Sequence, residues 1–297
     1  MKKKSIILLA LILTMLVVMT ACGSDEDKNS EEKKEPTELS GPVRVVAQND
    51  ATGVSVFKEM GDNYIVKTHK KIGDVRDAIK DGKYDAAILS AGIAAEMYDK
   101  TDGKLVEISP VSLNGIYAVA NGYNKDDFQL SWLPNKNVVI MGKNSTADQV
   151  LQQLMEDTGR SFSSIKTKYI NSYSGVKKAF AQWGAIVICS EPYASRLEKL
   201  TDVIKVYDLS EDYRISYKTD VPAEVLVVSK KMYDERPDDI KIMIKEYEET
   251  LPKISNENRK TYAKFVFYGQ SNRGEMILRQ YNETMDNKMK YYSTDKQ

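Results

Sequence analysis

Two hydrophobic textures alternate along this chain. Short, unbroken, β-branched runs such as "VRVVAQ", "DAAILS", "KNVVIMG" and "AIVICS" read as strands buried on both faces. Between them lie segments whose apolar residues recur three and four apart, the spacing of an amphipathic helix. In order, "VRVVAQ" predicts a strand, "NDATG" a turn and cap, "VSVFKEM" a helix and "IVKTHKKI" a second strand. "GDVRDAIKDGKY" predicts a helix ending near Gly82, "DAAILS" the next strand and "AGIAAEMYDK" the next helix. "GIYAVANG" is apolar throughout and is expected to cross between two lobes.

A second series then opens: strand "KNVVIMG", loop "KNSTA", helix "DQVLQQLMEDTG", strand "IKTKYIN", helix "YSGVKKAFAQW", strand "AIVICS" and helix "EPYASRLEKL". The two series are alike. "VRDAIKDGKYDAAILSAGIAAEM" lies over "VKKAFAQWGAIVICSEPYASRL" with one residue of slippage, so that Val75 meets Val176, Ala78 meets Ala179 and Ser90 meets Ser190. Strand–helix alternation implies a parallel sheet with helices on its faces, and two such series imply two lobes. "VPAEVLVV" then returns as a strand, Pro237 opens the helix "DDIKIMIKEYEETL", and the Tyr- and Met-rich tail reads as packed helix rather than a cofactor site.

The N-terminus has a different pattern. "MKKKSIILLALILTMLVVMTAC" joins three lysines to an apolar run and a small-residue cleavage site, the layout of a secretory signal. An uncleaved membrane anchor is the alternative, because about 20 apolar residues suffice to span a bilayer. Met19-Thr20-Ala21-Cys22 resembles the bacterial lipobox, with Met19 where leucine is usual. That resemblance implies cleavage after residue 21, acylation (palmitate among the acyl chains) of Cys22, and a location on the cell membrane facing outside the cytoplasm. The following stretch, residues 24–40, is charged and carries one aliphatic side chain, Leu39. It cannot bury enough apolar surface to order itself and reads as a tether.

Composition removes several function classes. Basic and acidic residues balance at 43 each, and three of the basic ones lie in the signal, so no nucleic-acid footprint is present. The single histidine, His69, leaves no material for a His-based triad or a multi-His metal site. With Cys22 acylated, Cys189 has no disulfide partner and reads as a small buried hydrophobe.

"ATGVSVFKEMGD", "DVRDAIKDGKYDAAILSAGIAAEMYDK", "GIYAVANG", "SEPYASRL" and "VPAEVLVVSKKMYDERPDDIKIMIKEYEET", taken in order from Val43 to about Ser255, resemble the extracytoplasmic solute-binding proteins of ABC importers. The nitrate, sulfonate, taurine and thiamine-pyrimidine-precursor group is the most similar. The resemblance implies an α/β, two-lobed periplasmic-binding-protein-like (type II) fold, each lobe a mostly parallel sheet flanked by helices, joined by two hinge strands. The implied organisation is a signal peptide at 1–21, a lipidated Cys and tether at 22–41, one lobe from 42–116 plus 224–297, and another from 117–223. It further implies a monomer without cofactor or catalysis that binds a small anionic or heterocyclic solute. The partners implied are that solute, a permease with its ATPase, and the membrane through the lipid anchor; no nucleic acid is implied. Two alternatives stand beside it: a sensory or partner-presenting lipoprotein of the same fold, and an enzyme of the pyrimidine-synthase or menaquinone-pathway kind.

In open parallel sheets, ligands bind beyond the carboxyl ends of strands. Four strand-to-helix loops qualify: "QNDATG", "LSAGIA", "GKNSTA" and "CSEPYA". Helix N-termini favour anions, and Asn49, Thr52, Ser90, Asn144, Ser145, Thr146 and Ser190 add hydroxyl or amide groups. Each of these is equally a preferred N-cap. Glu191 can meet a ligand amine or support the helix start at Pro192. Tyr117, Trp183 and Tyr193 can stack on a flat ligand, or Trp183 can fill core; Lys143 can meet an anion or stay in solvent.

Overall fold

The computed structural model describes residues 37–124, 128–183, 186–200, 202–254, 264–269 and 271–292. The signal, Cys22 and nearly all of the tether lie outside these residues. So does the side chain of Trp183. No helix among the described residues is long and apolar enough to cross a membrane.

The chain enters through β1 (Val43–Gln48) and α1 (Val54–Glu59), then β2 (Tyr64–His69), α2 (Ile72–Lys80), β3 (Ala86–Ser90) and α3 (Ala91–Lys100). β1 pairs in parallel with both β2 and β3. Its three Val and one Ala are all buried, with only Arg44 and Gln48 reaching the surface in part, as a strand covered on both faces requires. β4 (Leu105–Leu113) completes the first pass and is buried along its whole length.

The chain then leaves this sheet. Asn114 and Gly115 both have left-handed backbone, φ 61° and 73°, a conformation that glycine and asparagine tolerate best. β5 (Ile116–Asn121) lies wholly in a second sheet, which corrects the expectation that "GIYAVANG" bridges the lobes. The turn, not the apolar run, makes the crossing, because the run's own backbone is engaged by β8 and β9. β6 (Asn137–Met141), α4 (Thr146–Asp157), β7 (Lys166–Ile170), α5 (Tyr173–Trp183), β8 (Ile186–Ser190), α6 (Tyr193–Leu197), β9 (Val203–Asp208) and α7 (Leu209–Tyr217) follow. β10 (Pro222–Ser229) returns to the first sheet, followed by α8 (Lys230–Glu235), α9 (Pro237–Thr250), β11 (Lys264–Phe265) and α10 (Asn272–Thr284).

The strand orders are β11-β4-β10-β3-β1-β2 and β7-β6-β8-β5-β9. In each sheet three parallel strands are joined by one antiparallel strand that arrived from the other lobe: β10 beside β3, and β5 beside β8. Ser90 and Ser190 therefore end equivalent strands. The architecture is the two-lobed α/β one. The two crossings run side by side and are bonded together. The Asn114 amide N–H donates to the Val221 carbonyl (2.8 Å), Val221 N–H donates to Asn114 Oδ1 (3.0 Å), and Asn114 Nδ2 donates to Asp220 Oδ1 (2.9 Å).

One apolar cluster runs through both lobes and includes Ile93, Ala94 and Met97 of α3, Val150 and Leu151 of α4, and Tyr281 of α10. Two further clusters cover the outer faces of the sheets, one under α1 and α9, the other under α5 and α6. Beyond α10 the chain runs beside β4, where Glu107 N–H donates to the Lys290 carbonyl and Tyr292 N–H donates to the Glu107 carbonyl. This segment and β11 cover the outer edge of β4, which a bare strand would leave open to aberrant pairing. The Glu107 side chain beneath it is fully buried; its Oε2 accepts from Asn282 Nδ2 (2.9 Å), and Oε1 has no partner.

Candidate functional site

The carboxyl ends of β1, β3, β6 and β8 and the first residues of β10 converge on one cavity of about 80 Å³. Its polar wall comes from both lobes: Gln48, Ser90 and Glu224 from the first, and Ser145, Asn171, Ser190, Glu191 and Tyr193 from the second. Ile72, Ile93, Met141 and Ala223 supply apolar wall. Among the described residues no lysine, arginine or histidine lines it.

The lobes close around it. Gln48 Nε2 donates to Tyr193 Oη (3.2 Å), Arg196 pairs with Asp50 (3.1 Å), and Arg76 donates to the Lys143 carbonyl (2.9 Å). Tyr281 Oη donates to Gln149 Oε1 (2.7 Å). α3 meets α4 at Gly92, where a Cβ would stand 2.5 Å from the Asn144 carbonyl oxygen. Only glycine permits this approach.

The ten candidate side chains divide. Ser90, Ser145, Ser190, Glu191 and Tyr193 line the cavity together. Ser90 stands at the N-terminus of α3, yet its hydroxyl makes no cap bond, and its buried Oγ has no partner. Ser145 does cap α4, accepting from Asp148 N–H (3.3 Å) while donating to the Met141 carbonyl (3.0 Å). Tyr193 stacks near Tyr173, ring centroids 6.4 Å apart.

The other five do not line it. Thr146 is fully buried and ties the lobes together, donating to the Ala223 carbonyl (3.1 Å) and accepting from Gly92 N–H (3.3 Å). Asn49 N–H donates to the His69 carbonyl (2.9 Å) at the end of the β1–β2 pair. Asn144 takes left-handed backbone, φ 61°, and its N–H donates to Asp148 Oδ2 (2.8 Å). Tyr117 packs against the cluster under α5 and α6, its ring centroid 4.7 Å from Lys205 Nζ. Thr52 is buried, and its N–H donates to Glu224 Oε2 (2.6 Å).

Helix starts and loop amides favour anions, and at three of the four strand-end loops a carboxylate of the chain already accepts from such an amide. Glu191 accepts from Ser195 N–H (3.1 Å) and Oγ (2.9 Å) at α6, Asp148 accepts from Asn144, and Glu224 accepts from Thr52. Glu191 is further neutralised by Lys205 (2.6 Å). Among the described residues no cation pairs with Glu224. Burial raises its carboxyl to about 7, partly offset by the bonds from Thr52. The sequence reading did not single out Glu224, Gln48 or Asn171. A lone charge inside the apolar run "VPAEVLVV" was the available signal for Glu224, since carboxylates are rarely buried unpaired.

Among the described residues no three His, Cys, Asp or Glu side chains gather to hold a metal ion.

No family model matches the chain, and no curated protein matches it. Solved structures do, at low identity. The ligand-binding component of an ABC-type import system from Staphylococcus aureus, with zinc bound, is 14% identical with TM-score 0.59, covering 86% of this chain and 87% of its own. An Archaeoglobus fulgidus protein is 15% identical with TM-score 0.61, covering 84% and 98%. The periplasmic aliphatic sulphonate binding protein of Escherichia coli is 13% identical with TM-score 0.59, covering 84% and 80%. The class these likenesses define is the two-lobed, periplasmic-binding-protein-like fold.

Proposed function

We propose that this chain is the solute-capturing component of an ABC importer. It closes two lobes on a small solute and delivers it to a permease and its ATPase. The observation that carries this reading is the cavity walled by strand ends of both sheets. A site walled by both lobes is assembled when they come together and taken apart when they separate, which is how hinged binders work. The chain acts as a monomer without cofactor or catalysis; the strand memberships move the expected lobe bounds slightly, to 42–113 with 222–297 for one lobe and 116–217 for the other. Asn114–Gly115 and the segment 218–221 serve as the hinge. Acylated Cys22 holds the protein to the outer face of the cell membrane, and the stretch to residue 41 gives it reach.

Two measurements test this reading. Native mass spectrometry of the protein from residue 37 onward is expected to show a co-purifying small molecule. Removing and restoring that molecule is expected to raise and then lower the radius of gyration in small-angle scattering. Identical scattering profiles with and without it would remove the clamp. For the anchor, Cys22→Ser is expected to abolish acyl labelling and release the protein from the membrane; a variant retained there at unchanged mass would mean an uncleaved anchor.

A further inference from the structure

The cavity wall carries information about the solute, and this inference rests on the clamp reading above. Glu224 and Ser90 stand opposite each other in the β10–β3 register, so their side chains share one face of the sheet about 5 Å apart. Both line the cavity. The Ser90 hydroxyl is buried without a partner, which is costly unless something else satisfies it. Glu191, across the cavity, is saturated by Ser195 and Lys205. Glu224 receives hydrogen bonds from Thr52 but no cation. An acceptor-rich wall with no basic lining residue repels a sulfonate or nitrate and rewards an N–H donor.

We propose that Glu224 and Ser90 form the solute-reading pair of the cleft, and that the solute is a small protonated amine or amidinium whose N–H groups bond to Glu224. The size agrees. About 80 Å³ is far below the roughly 300–1,000 Å³ of pockets for drug-sized ligands, so the closed form suits a solute of few heavy atoms. A buried carboxylate that lacks a cation gains most from one that a ligand supplies.

The test uses the protein from residue 37 onward, with ethylammonium, acetamidinium, ethanesulfonate and nitrate as probes. It is run at pH 8, above the about 7 to which burial raises Glu224. Besides Thr52, the groups acting on Glu224 or acted on by it are Asp50, Tyr247 from α9 and Tyr193 from the other lobe. Asp50 is itself paired with Arg196. Calorimetry is expected to show heat of binding for one or both cations and none for the anions. Glu224→Gln keeps an acceptor for Thr52 while removing the charge, and is expected to weaken cation binding at least tenfold. Ser90→Ala is expected to weaken it several-fold, with the melting temperature of the empty protein unchanged. Equal cation affinity in Glu224→Gln and wild type overturns the assignment. Binding of ethanesulfonate or nitrate alone overturns it too, while leaving the clamp intact. If no probe binds and no molecule co-purifies, the assignment and the clamp fall together.

Discussion

Glu107→Gln is expected to raise the melting temperature by roughly 10–20 °C at pH 8 and by only about 1–3 °C at pH 5. Glu107 is fully buried under the C-terminal segment, and burial raises its carboxyl from 4.5 to about 8 against a smaller opposing bond from Asn282. In the unfolded chain it ionises near 4.5. Between those values the folded state holds a proton that the unfolded state has lost, so stability falls as pH rises. The contribution is complete below about 4.5 and lost as pH passes through about 8. Each pH unit in that window is worth about 1.4 kcal/mol, and a chain of this size shifts about 2–4 °C per kcal/mol. Gln removes the titration while keeping an acceptor for Asn282 Nδ2. Melting curves across pH 5–9 decide the matter: parallel curves for wild type and variant would show that Glu107 does not couple folding to protons. Glu224 titrates in the same direction, so some slope is expected to survive in Glu107→Gln and to shrink further in the double variant with Glu224→Gln.

The other large effect is on closure. Gly92→Ala is expected to hold the lobes apart without harming either one. A Cβ at this position stands 2.5 Å from the Asn144 carbonyl oxygen and 2.9 Å from the Ser145 carbonyl carbon. Both are backbone atoms and cannot rotate away. Overpacking of this kind costs about 1–3 kcal/mol, which is charged only to the closed arrangement. Within α3, Ala is the better helix former by up to about 1 kcal/mol, so the empty protein is expected to melt no earlier. In scattering, the variant is expected to keep a larger radius of gyration even with the co-purifying solute at saturation, and to bind it roughly ten- to hundredfold more weakly. A variant that compacts like wild type would mean that α3 and α4 do not approach this closely in the bound form.

What the sequence made legible follows from how locally each feature is determined. β1, β3, β6 and β8 are continuous apolar runs, and nothing else short and β-branched fits a doubly covered parallel strand. β4 is as deeply buried as any of them, yet "LVEISPVSL" reads as broken. Its Glu107 bonds to Asn282, and its Ser109 accepts from the Tyr268 amide as well as donating to the neighbouring Pro110 carbonyl; Asn282 and Tyr268 lie far along the chain. β9 and α7, in "VIKVYDLSEDYRISY", carry too many polar residues to stand out. The strand-end loops of the site were readable because turn and cap residues follow apolar runs. Which side chain points into the cavity was not, because that depends on how two lobes meet. Thr146 looks like a ligand hydroxyl until α3 is brought against it, and Glu224 looks like an interruption until β10 is placed beside β3.

The exchange of one strand between the sheets also orders assembly in time. All five strands of the second sheet, β5 to β9, are contiguous in sequence from Ile116 to Asp208. The first sheet lacks its inner strand β10, the only link between β3 and β4, until Ser229 exists. A chain emerging N-terminus first therefore offers a completable second lobe before a completable first one. The half that begins earliest must remain split, its β3 and β4 edges unpaired, while the later half is made. Loop closure across the intervening segment adds little to the final stability, since each doubling of loop length costs only about 0.6 kcal/mol. The interval in which those edges stand open is instead set by the rate at which the chain is delivered.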